Sequence, residues 1–348
     1  VNPKPFWLKS SLLLLNLGVK MCTPECRTGP ASVEAPDVWR DLPPFAATRE
    51  DVEVTFRGRC YEGRLVTEAG APPRPLVFVI HNFQGLKSFD EKMAEYIARV
   101  GYVGLAIDTY GDAVPKNLRP WPADERDVDG YMSMCFKEHF KTQNDSAGSR
   151  QLLKSWLDAG LAHPSVDSSR LPVMLGYCYG GGMCLEAIRG GLPVAGVVSL
   201  HGVPGNPEYK HNPCLDMAFF EKHGLTELVA ELSAKWQAPV NSYNTSAVVH
   251  VEHGLDDKCV PASMLQDFID EFNKAGVDMV LHAYTGTPHG FSLPPSIGPP
   301  GCLHERADRR ATQNFLELCR DVWPDVAQRH VERNAAGTRI RAPRSEQK

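Results

Sequence analysis

The chain lacks a long hydrophobic run, a basic stripe and a paired zinc motif, and each absence excludes a class of protein. The apolar stretch at residues 11–19 is too short to span a bilayer. Acidic residues (42) outnumber basic ones (37), and the net charge of −5 offers no cationic surface to nucleic acid. Cys22 and Cys26 have no second pair at a zinc-like spacing. The sequence therefore predicts no membrane span, no nucleic-acid partner, and no metal or other cofactor.

The cysteines predict a reducing compartment. All 10 are irregularly spaced along 348 residues, and several, such as Cys184 and Cys319, fall inside predicted core elements. Such a pattern favours free thiols and a cytoplasmic protein over a disulfide framework. The alternative is secretion, since residues 1–20 contain an apolar run preceded by lysines, as a signal peptide does. Met21 follows directly, which favours a mobile leader or an artefact over a signal segment.

The most informative motif is Gly176-Tyr177-Cys178-Tyr179-Gly180-Gly181. A short apolar run precedes it at residues 171–175, and a run with helical character follows it at 183–188. A strand, a glycine-flanked turn and a helix form the nucleophile elbow of α/β-hydrolases, here with cysteine in place of serine. The positive end of the following helix favours a thiolate. A plain glycine-rich turn around a buried cysteine is the competing interpretation.

Two later segments offer partners for this cysteine. Asp257 follows a predicted strand at 246–253, and His289 follows another at 279–284. Cys178, Asp257 and His289 thus occur in the chain order of α/β-hydrolase triads, each just after a strand. Asp256 is the rival for the acid position, because two adjacent loop carboxylates cannot both face the histidine.

Strand and helix patterns alternate through the middle of the chain and predict an α/β protein. A hairpin at 52–66 leads into apolar runs at 76–80, 103–107 and 194–200, and helical patterns intervene. This alternation indicates a doubly wound, mostly parallel sheet with helices on both faces. Two long interruptions follow: residues 112–144 lie where a cap or a lid is expected, and 203–245 form a connection whose length is typical of a functional or flexible loop. We assign 1–45 to a mobile leader, 46–325 to one α/β-hydrolase domain, and 326–348 to a disordered basic tail.

From residue 72 to 323 the chain resembles the dienelactone hydrolase family. The resemblance rests on His81-Asn82-Phe83-Gln84-Gly85, Asp108-Thr109-Tyr110-Gly111, the cysteine elbow, and the Asp257 and His289 loops. It implies a Cys178–His289–Asp257 triad that cleaves a small-molecule ester or lactone through an S-acyl intermediate. The elbow geometry further predicts an oxyanion hole from the backbone amides of Tyr179 and Phe83.

The departures from the family pattern bear on the substrate. Asn82 stands where well-studied members carry a glutamate that helps to activate the cysteine, and Asp112 and Leu293 stand where they carry arginines for a substrate carboxylate. The sequence therefore favours a neutral acyl group. A thioesterase, and a non-catalytic binding or redox-sensing protein, are the alternative functions.

Other polar residues near the predicted strand ends complete the candidates. Asn82, Tyr110 and His201 are candidate pocket residues, although a packing role is favoured for His201. His250 and His253 flank Glu252, and a structural role is expected for both histidines.

Overall fold

The computed structural model describes residues 45–114, 130–205, 217–235, 239–295, 297–299 and 301–329. The expected leader up to residue 44, and the expected tail beyond residue 329, lie outside the described residues.

One mostly parallel sheet organises the described part of the chain. Its eight strands lie in the order β1-β2-β4-β3-β5-β6-β7-β8. Their bounds are β1 Ala47–Phe56, β2 Arg59–Glu68, β3 Leu76–Ile80, β4 Val103–Ile107, β5 Val173–Tyr177, β6 Gly196–Leu200, β7 Val248–Gly254 and β8 Asp278–Tyr284. The hairpin strand β2 pairs antiparallel with β1 and β4, and every pair from β4 to β8 is parallel. The predicted α/β-hydrolase fold is confirmed.

Helices cover both faces of this sheet. Their bounds are α1 Ser88–Val100, α2 Tyr131–Asn144, α3 Ser146–Leu161, α4 Tyr179–Arg189, α5 Met217–Lys222, α6 Thr226–Lys235, α7 Ala262–Ala275 and α8 Glu305–Val322. One hydrophobic core lies between the sheet and α3, α4 and α7. A second core lies between the opposite face and α1 and α8. Side chains of a strand alternate between faces, so the apolar runs of β3 to β6 supply both cores.

The strands β3 and β5 are parallel, hydrogen-bonded neighbours at the centre of the sheet, and between them the order in which strands are added changes side. The chain leaves β3 toward β4 on one side and reaches β6 from β5 on the other. Loops that leave the carboxyl ends of two such strands diverge and open a crevice. The sheet therefore places residues 81–85 and the turn at Cys178 on either side of one crevice.

The structure differs from the sequence interpretation at several boundaries. Strand β5 begins at Val173 rather than at residue 171, because Leu171 is exposed. At its other end it runs to Tyr177 rather than ending near residue 175. The stretch assigned to a cap contains helix α2, and the second interruption contains α5 and α6. Residues 326–329, expected in the tail, contact the body: the backbone N–H of Arg329 donates to the carbonyl of Val100 over 2.9 Å.

Candidate active site

The sharp turn between β5 and α4 carries the candidate nucleophile. Cys178 has a φ of 54° and a ψ of −110°, a left-handed conformation that a non-glycine residue adopts only under constraint. Its backbone N–H donates to the carbonyl of Leu200 over 2.9 Å, and its carbonyl accepts from Gly182 over 3.1 Å. These bonds hold the thiol at the start of α4, and Cys178 is partly exposed.

The glycines around Cys178 are required by close backbone contacts. A Cβ atom on Gly176 would lie 2.1 Å from the carbonyl oxygen of Gly180, and one on Gly180 would lie 2.3 Å from that of Ile80. No ordinary carbon–oxygen contact is that short. The glycines therefore allow α4 to pack directly against β3 and β5.

We expect Gly180→Ala to destabilise the fold by more than about 2 kcal/mol, because the added methyl group must displace the backbone of β3. Gly276→Ala is the matched control. Gly276 follows a helix, and a methyl group added to it would have no neighbouring atom within 4 Å; its φ is 72°, so only conformational strain of about 1 kcal/mol is expected there. Denaturant unfolding measures both changes. Equal losses in the two variants would contradict the role assigned to the close contact.

The side chains of Cys178, His289 and Asp257 form a hydrogen-bonded chain. Nε2 of His289 lies 3.1 Å from Sγ of Cys178, and Nδ1 lies 2.8 Å from Oδ2 of Asp257. Burial alone would lower the pKa of His289, but the charges of Cys178 and Asp257, and the hydrogen bonds to both, raise that pKa well above its ordinary value. The geometry therefore suits a thiolate–imidazolium pair.

The two adjacent carboxylates of the β7 loop have different environments. Asp257 is buried, and its Oδ1 accepts from the backbone N–H groups of Cys259 at 2.7 Å and Val260 at 3.0 Å. These two bonds orient the carboxylate so that only Oδ2 faces His289. Asp256 is exposed, and its side chain makes no contact with the histidine among those of the described residues. The structure thus brings Asp257, and not its rival, to His289.

The backbone amides of Phe83 and Tyr179 lie on the two loops that flank the crevice. Tyr179 is the first residue of α4, so its N–H has no acceptor within the helix. Among the residues that the structure describes, neither amide donates to another protein group. Both are therefore available to an external oxygen atom.

A polar network from the end of β4 holds the loop that carries Phe83. Nε2 of His81 accepts from the backbone N–H of Thr109 over 3.1 Å, so its Nδ1 carries the proton and donates to the carbonyl of Asn82 over 2.6 Å. The hydroxyl of Tyr110 donates to the carbonyl of Phe83 over 2.9 Å. Burial raises the pKa of Tyr110 well above its ordinary value, which keeps this donor protonated. Tyr110 thus supports the loop from within the core.

The other two candidate pocket residues also make structural contacts. Oδ1 of Asn82 accepts from the backbone N–H of Gln84 over 2.8 Å and closes a turn of the same loop. His201 is fully buried, its Nε2 lies 2.9 Å from Oγ of Ser292, and its ring packs edge-on against His289 at 5.3 Å. Burial lowers the pKa of His201 well below its ordinary value. His201 therefore presents a neutral ring behind His289.

Apolar side chains surround the thiol. Cys178 packs against a small cluster of buried apolar residues from the β6 and β7 loops and α7, namely Val203, Val260 and Met264, and Leu265 packs against the same cluster. Across the crevice, the ring of Phe83 stacks on Phe136 of α2 at 4.8 Å, and Phe136 contacts Phe219 of α5 at 4.7 Å. Helix α2 lies in the stretch predicted as a cap or a lid, and α5 lies in the second long interruption. They give the crevice aromatic walls.

The positions aligned with carboxylate-binding arginines hold no cation. Leu293 is buried in the core on the α1 and α8 face. The side chain of Asp112 is 71% exposed, and its Oδ1 lies 3.3 Å from Nε of Arg59. Arg59 also binds Glu138 at 2.8 Å, so its charge is shared between two carboxylates. Arg59 therefore weakens the repulsion that the charge of Asp112 would exert on an anionic substrate. Leu293 still offers no positive charge to bind a substrate carboxylate.

Two groups of potential metal ligands occur among the described residues. Asp257, Cys259 and His289 form one, and His250, Glu252 and His282 form the other. The first group overlaps the hydrogen-bonded chain already described. The sequence interpretation considered both His250 and His253 beside Glu252, but His253 lies on the opposite face of β7 and is within electrostatic reach of His289. His282 was missed because it belongs to β8, and only the strand register places it opposite Glu252.

None of the helices among the described residues is both long enough and apolar enough to cross a membrane.

Several known proteins are similar to this chain in sequence or in fold. The model of the dienelactone hydrolase family matches residues 61–322. A dienelactone hydrolase-like promiscuous phosphotriesterase from metagenomic libraries is 26% identical, with a TM-score of 0.59 over 80% of this chain and 99% of that one. The protein m3DLH is 23% identical, with a TM-score of 0.60 over 80% and 99%. A dienelactone hydrolase-type protein from Klebsiella pneumoniae subsp. pneumoniae MGH 78578 is 15% identical, with a TM-score of 0.56 over 78% and 98%. No curated protein sequence matches the chain.

Proposed function

Since the chain belongs to the dienelactone hydrolase family and is a hydrolytic enzyme, we propose that it cleaves an ester or a lactone through an S-acyl intermediate on Cys178. The observation that carries the proposal is the hydrogen-bonded chain Cys178–His289–Asp257, with distances of 3.1 Å and 2.8 Å. Nucleophile and base within hydrogen-bond reach, with the base oriented by a third group, is the arrangement that nucleophilic catalysis needs.

The proposed reaction has two halves. The Cys178 thiolate attacks the carbonyl carbon, and the amides of Phe83 and Tyr179 stabilise the resulting oxyanion. Protonated His289 gives its proton to the leaving oxygen as the carbon–oxygen bond breaks, which leaves an S-acyl enzyme. His289 then takes a proton from water, the hydroxide attacks the thioester, and the acid is released with the thiolate restored. Asp257 orients the imidazole and stabilises its positive charge throughout.

The walls of the crevice support a neutral, apolar acyl group. Val260 and Met264 lie on one side of Cys178, and Phe83 with Phe136 on the other. An apolar group gains about 25 cal/mol for each Å² that it buries, whereas a carboxylate loses hydration there without a matching cation.

A panel of matched substrates tests this specificity. We expect kcat/KM for neutral p-nitrophenyl esters to exceed that for carboxylate-bearing lactones of equal size by at least about tenfold, the ratio that 1.4 kcal/mol gives. A neutral phosphotriester belongs in the panel, because the similar metagenomic protein is described as a promiscuous phosphotriesterase. A higher kcat/KM for the anionic lactone would show that a cation elsewhere, such as Arg59, binds the carboxylate.

A thioester substrate would meet the same nucleophile and the same base as an oxygen ester. A matched pair of thioester and oxygen ester in the panel distinguishes the two activities. No disulfide joins any of the seven cysteines among the described residues, which supports a reducing compartment, and we place the enzyme in the cytoplasm.

A further inference from the structure

A polar cluster lies on the face of the sheet that α8 covers, at the β7–β8 edge. His250 and Glu252 are two residues apart on β7 and therefore point to the same face. His282 lies directly opposite Glu252 on the neighbouring strand β8. Their potential ligand atoms all lie within 4.8 Å of one another. We propose that His250, Glu252 and His282 bind a divalent transition-metal ion such as Zn²⁺.

The donor set matches that chemistry. Two histidine nitrogens and one carboxylate form a common three-ligand zinc set, which leaves a fourth position to water. In a tetrahedral site with bonds of about 2.0–2.1 Å, neighbouring donor atoms lie about 3.3 Å apart. Nδ1 of His282 is 2.9 Å from Oε1 of Glu252, so a shift of a few tenths of an ångström admits the ion there. The ligand atom of His250 lies within 4.8 Å of the other two and must move closer to them to complete the set.

An unpartnered nitrogen distinguishes this cluster from an ordinary hydrogen-bonded network. His250 is 7% exposed, and its Nδ1 is buried without a hydrogen-bond partner among the residues that the structure describes. A buried polar atom without a partner costs about 1–3 kcal/mol. A bound metal ion would remove that cost, because a neutral imidazole nitrogen coordinates through this lone pair.

The residues around the cluster support the ligands. Glu252 is fully buried, and its carboxylate accepts from Tyr284 Oη at 2.5 Å and from Nδ2 of Asn314 on α8 at 3.1 Å. Hydrogen bonds of this kind fix the orientation of a ligating carboxylate. Glu317 of α8 interacts electrostatically with both histidines and adds negative charge.

Access to the cluster comes from the sheet edge. The side chain of His282 is 32% exposed, whereas that of Glu252 is 0% exposed. An ion therefore reaches the site past His282, on strand β8, which is the last strand of the sheet. Bound there, it would link β7 to β8.

Titration of the metal-stripped full chain with Co²⁺ and Zn²⁺ tests the proposal. We expect one Co²⁺ per chain, with the strong visible absorption of a tetrahedral ion and no thiolate-to-cobalt charge-transfer band. His282→Gln and His250→Gln should each weaken binding by at least about 10²-fold. Zn²⁺ at 100 times its Kd should raise the Tm of the wild type by roughly 3–6 °C and leave that of His282→Gln unchanged.

Two control variants make the outcome decisive. Cys259→Ser removes the thiol of the other potential ligand group, and His163→Gln removes a histidine far from the cluster along the chain; both should bind Co²⁺ as the wild type does. Esterase activity at the wild-type level shows that His282→Gln is folded. The proposal is overturned if the wild type binds no ion, if a thiolate band appears and disappears in Cys259→Ser, or if neither histidine variant weakens binding.

Discussion

Replacement of Cys178 by alanine is expected to lower kcat/KM for p-nitrophenyl esters by at least about 10⁴-fold. The variant retains the oxyanion amides of Phe83 and Tyr179 but has no atom that can form the acyl bond. The alanine methyl group fits on the same backbone, so the fold should be unchanged. Mass spectrometry of the wild type, quenched during turnover of a slow ester, should show the mass of one acyl group on the peptide that contains Cys178.

Cys259→Ala is the matched control. Cys259 is also a partly exposed cysteine, its backbone N–H donates to Asp257, and its Sγ lies within 4.8 Å of the ligand atoms of Asp257 and His289. We expect its kcat/KM to stay within about threefold of the wild type, because no step of the proposed reaction uses its thiol. Equal rates for the wild type and Cys178→Ala would refute the nucleophile and leave the non-catalytic or redox-sensing alternative.

Asp257→Asn is expected to lower kcat by roughly 10²–10⁴-fold, because the asparagine imposes the wrong tautomer on His289. Two backbone N–H groups bind Oδ1 of Asp257, so the asparagine would keep its oxygen there and turn its amide N–H toward Nδ1. Nδ1 would then have to accept, and the proton on Nε2 would point at Cys178. The side chain volume is unchanged, so the loss reports proton placement rather than packing.

The same variant should change the pH dependence of thiol alkylation. Asp257 is one of the groups that raise the pKa of His289, so its removal lowers that pKa. The imidazolium that holds the thiolate is then lost at a lower pH than in the wild type. We expect iodoacetamide to modify Cys178 about tenfold or more slowly at pH 7 in Asp257→Asn.

Asp256→Asn is the control for both measurements, since its carboxylate carries the same charge one residue earlier but is exposed to solvent. Its kcat and its alkylation profile should match the wild type. A larger effect at Asp256 than at Asp257 would reverse the assignment of the acid.

The sequence predicts the sheet and the order of the site residues because both depend on local patterns. Buried parallel strands such as β3 are continuous apolar runs, and glycines at 176 and 180 mark the turn between β5 and α4. Each candidate triad residue follows a parallel strand, namely β5 for Cys178, β7 for Asp257 and β8 for His289. The elbow motif therefore indicates both the fold and the candidate nucleophile.

Helix α2 was missed because its buried face mixes polar side chains with apolar ones. Glu138 and His139 are both buried, Glu138 through its pair with Arg59, which is 79 residues away in the chain. A charged residue that is buried because it pairs with a residue far away in the chain looks like a surface residue when only the sequence is known. The same limit applies to His282, whose contact with Glu252 depends on the register of two strands rather than on a spacing.

The candidate triad is assembled from residues that are far apart in the sequence, so activity requires the whole sheet to be folded. Cys178 and His289 are 111 residues apart, and the loop of Phe83 comes from the opposite side of the crossover between β3 and β5. A proteolytic fragment that lacks either half of the sheet contains no complete set of groups. Catalysis is thus an all-or-none assay of the whole domain, and its loss on heating should coincide with cooperative unfolding rather than precede it.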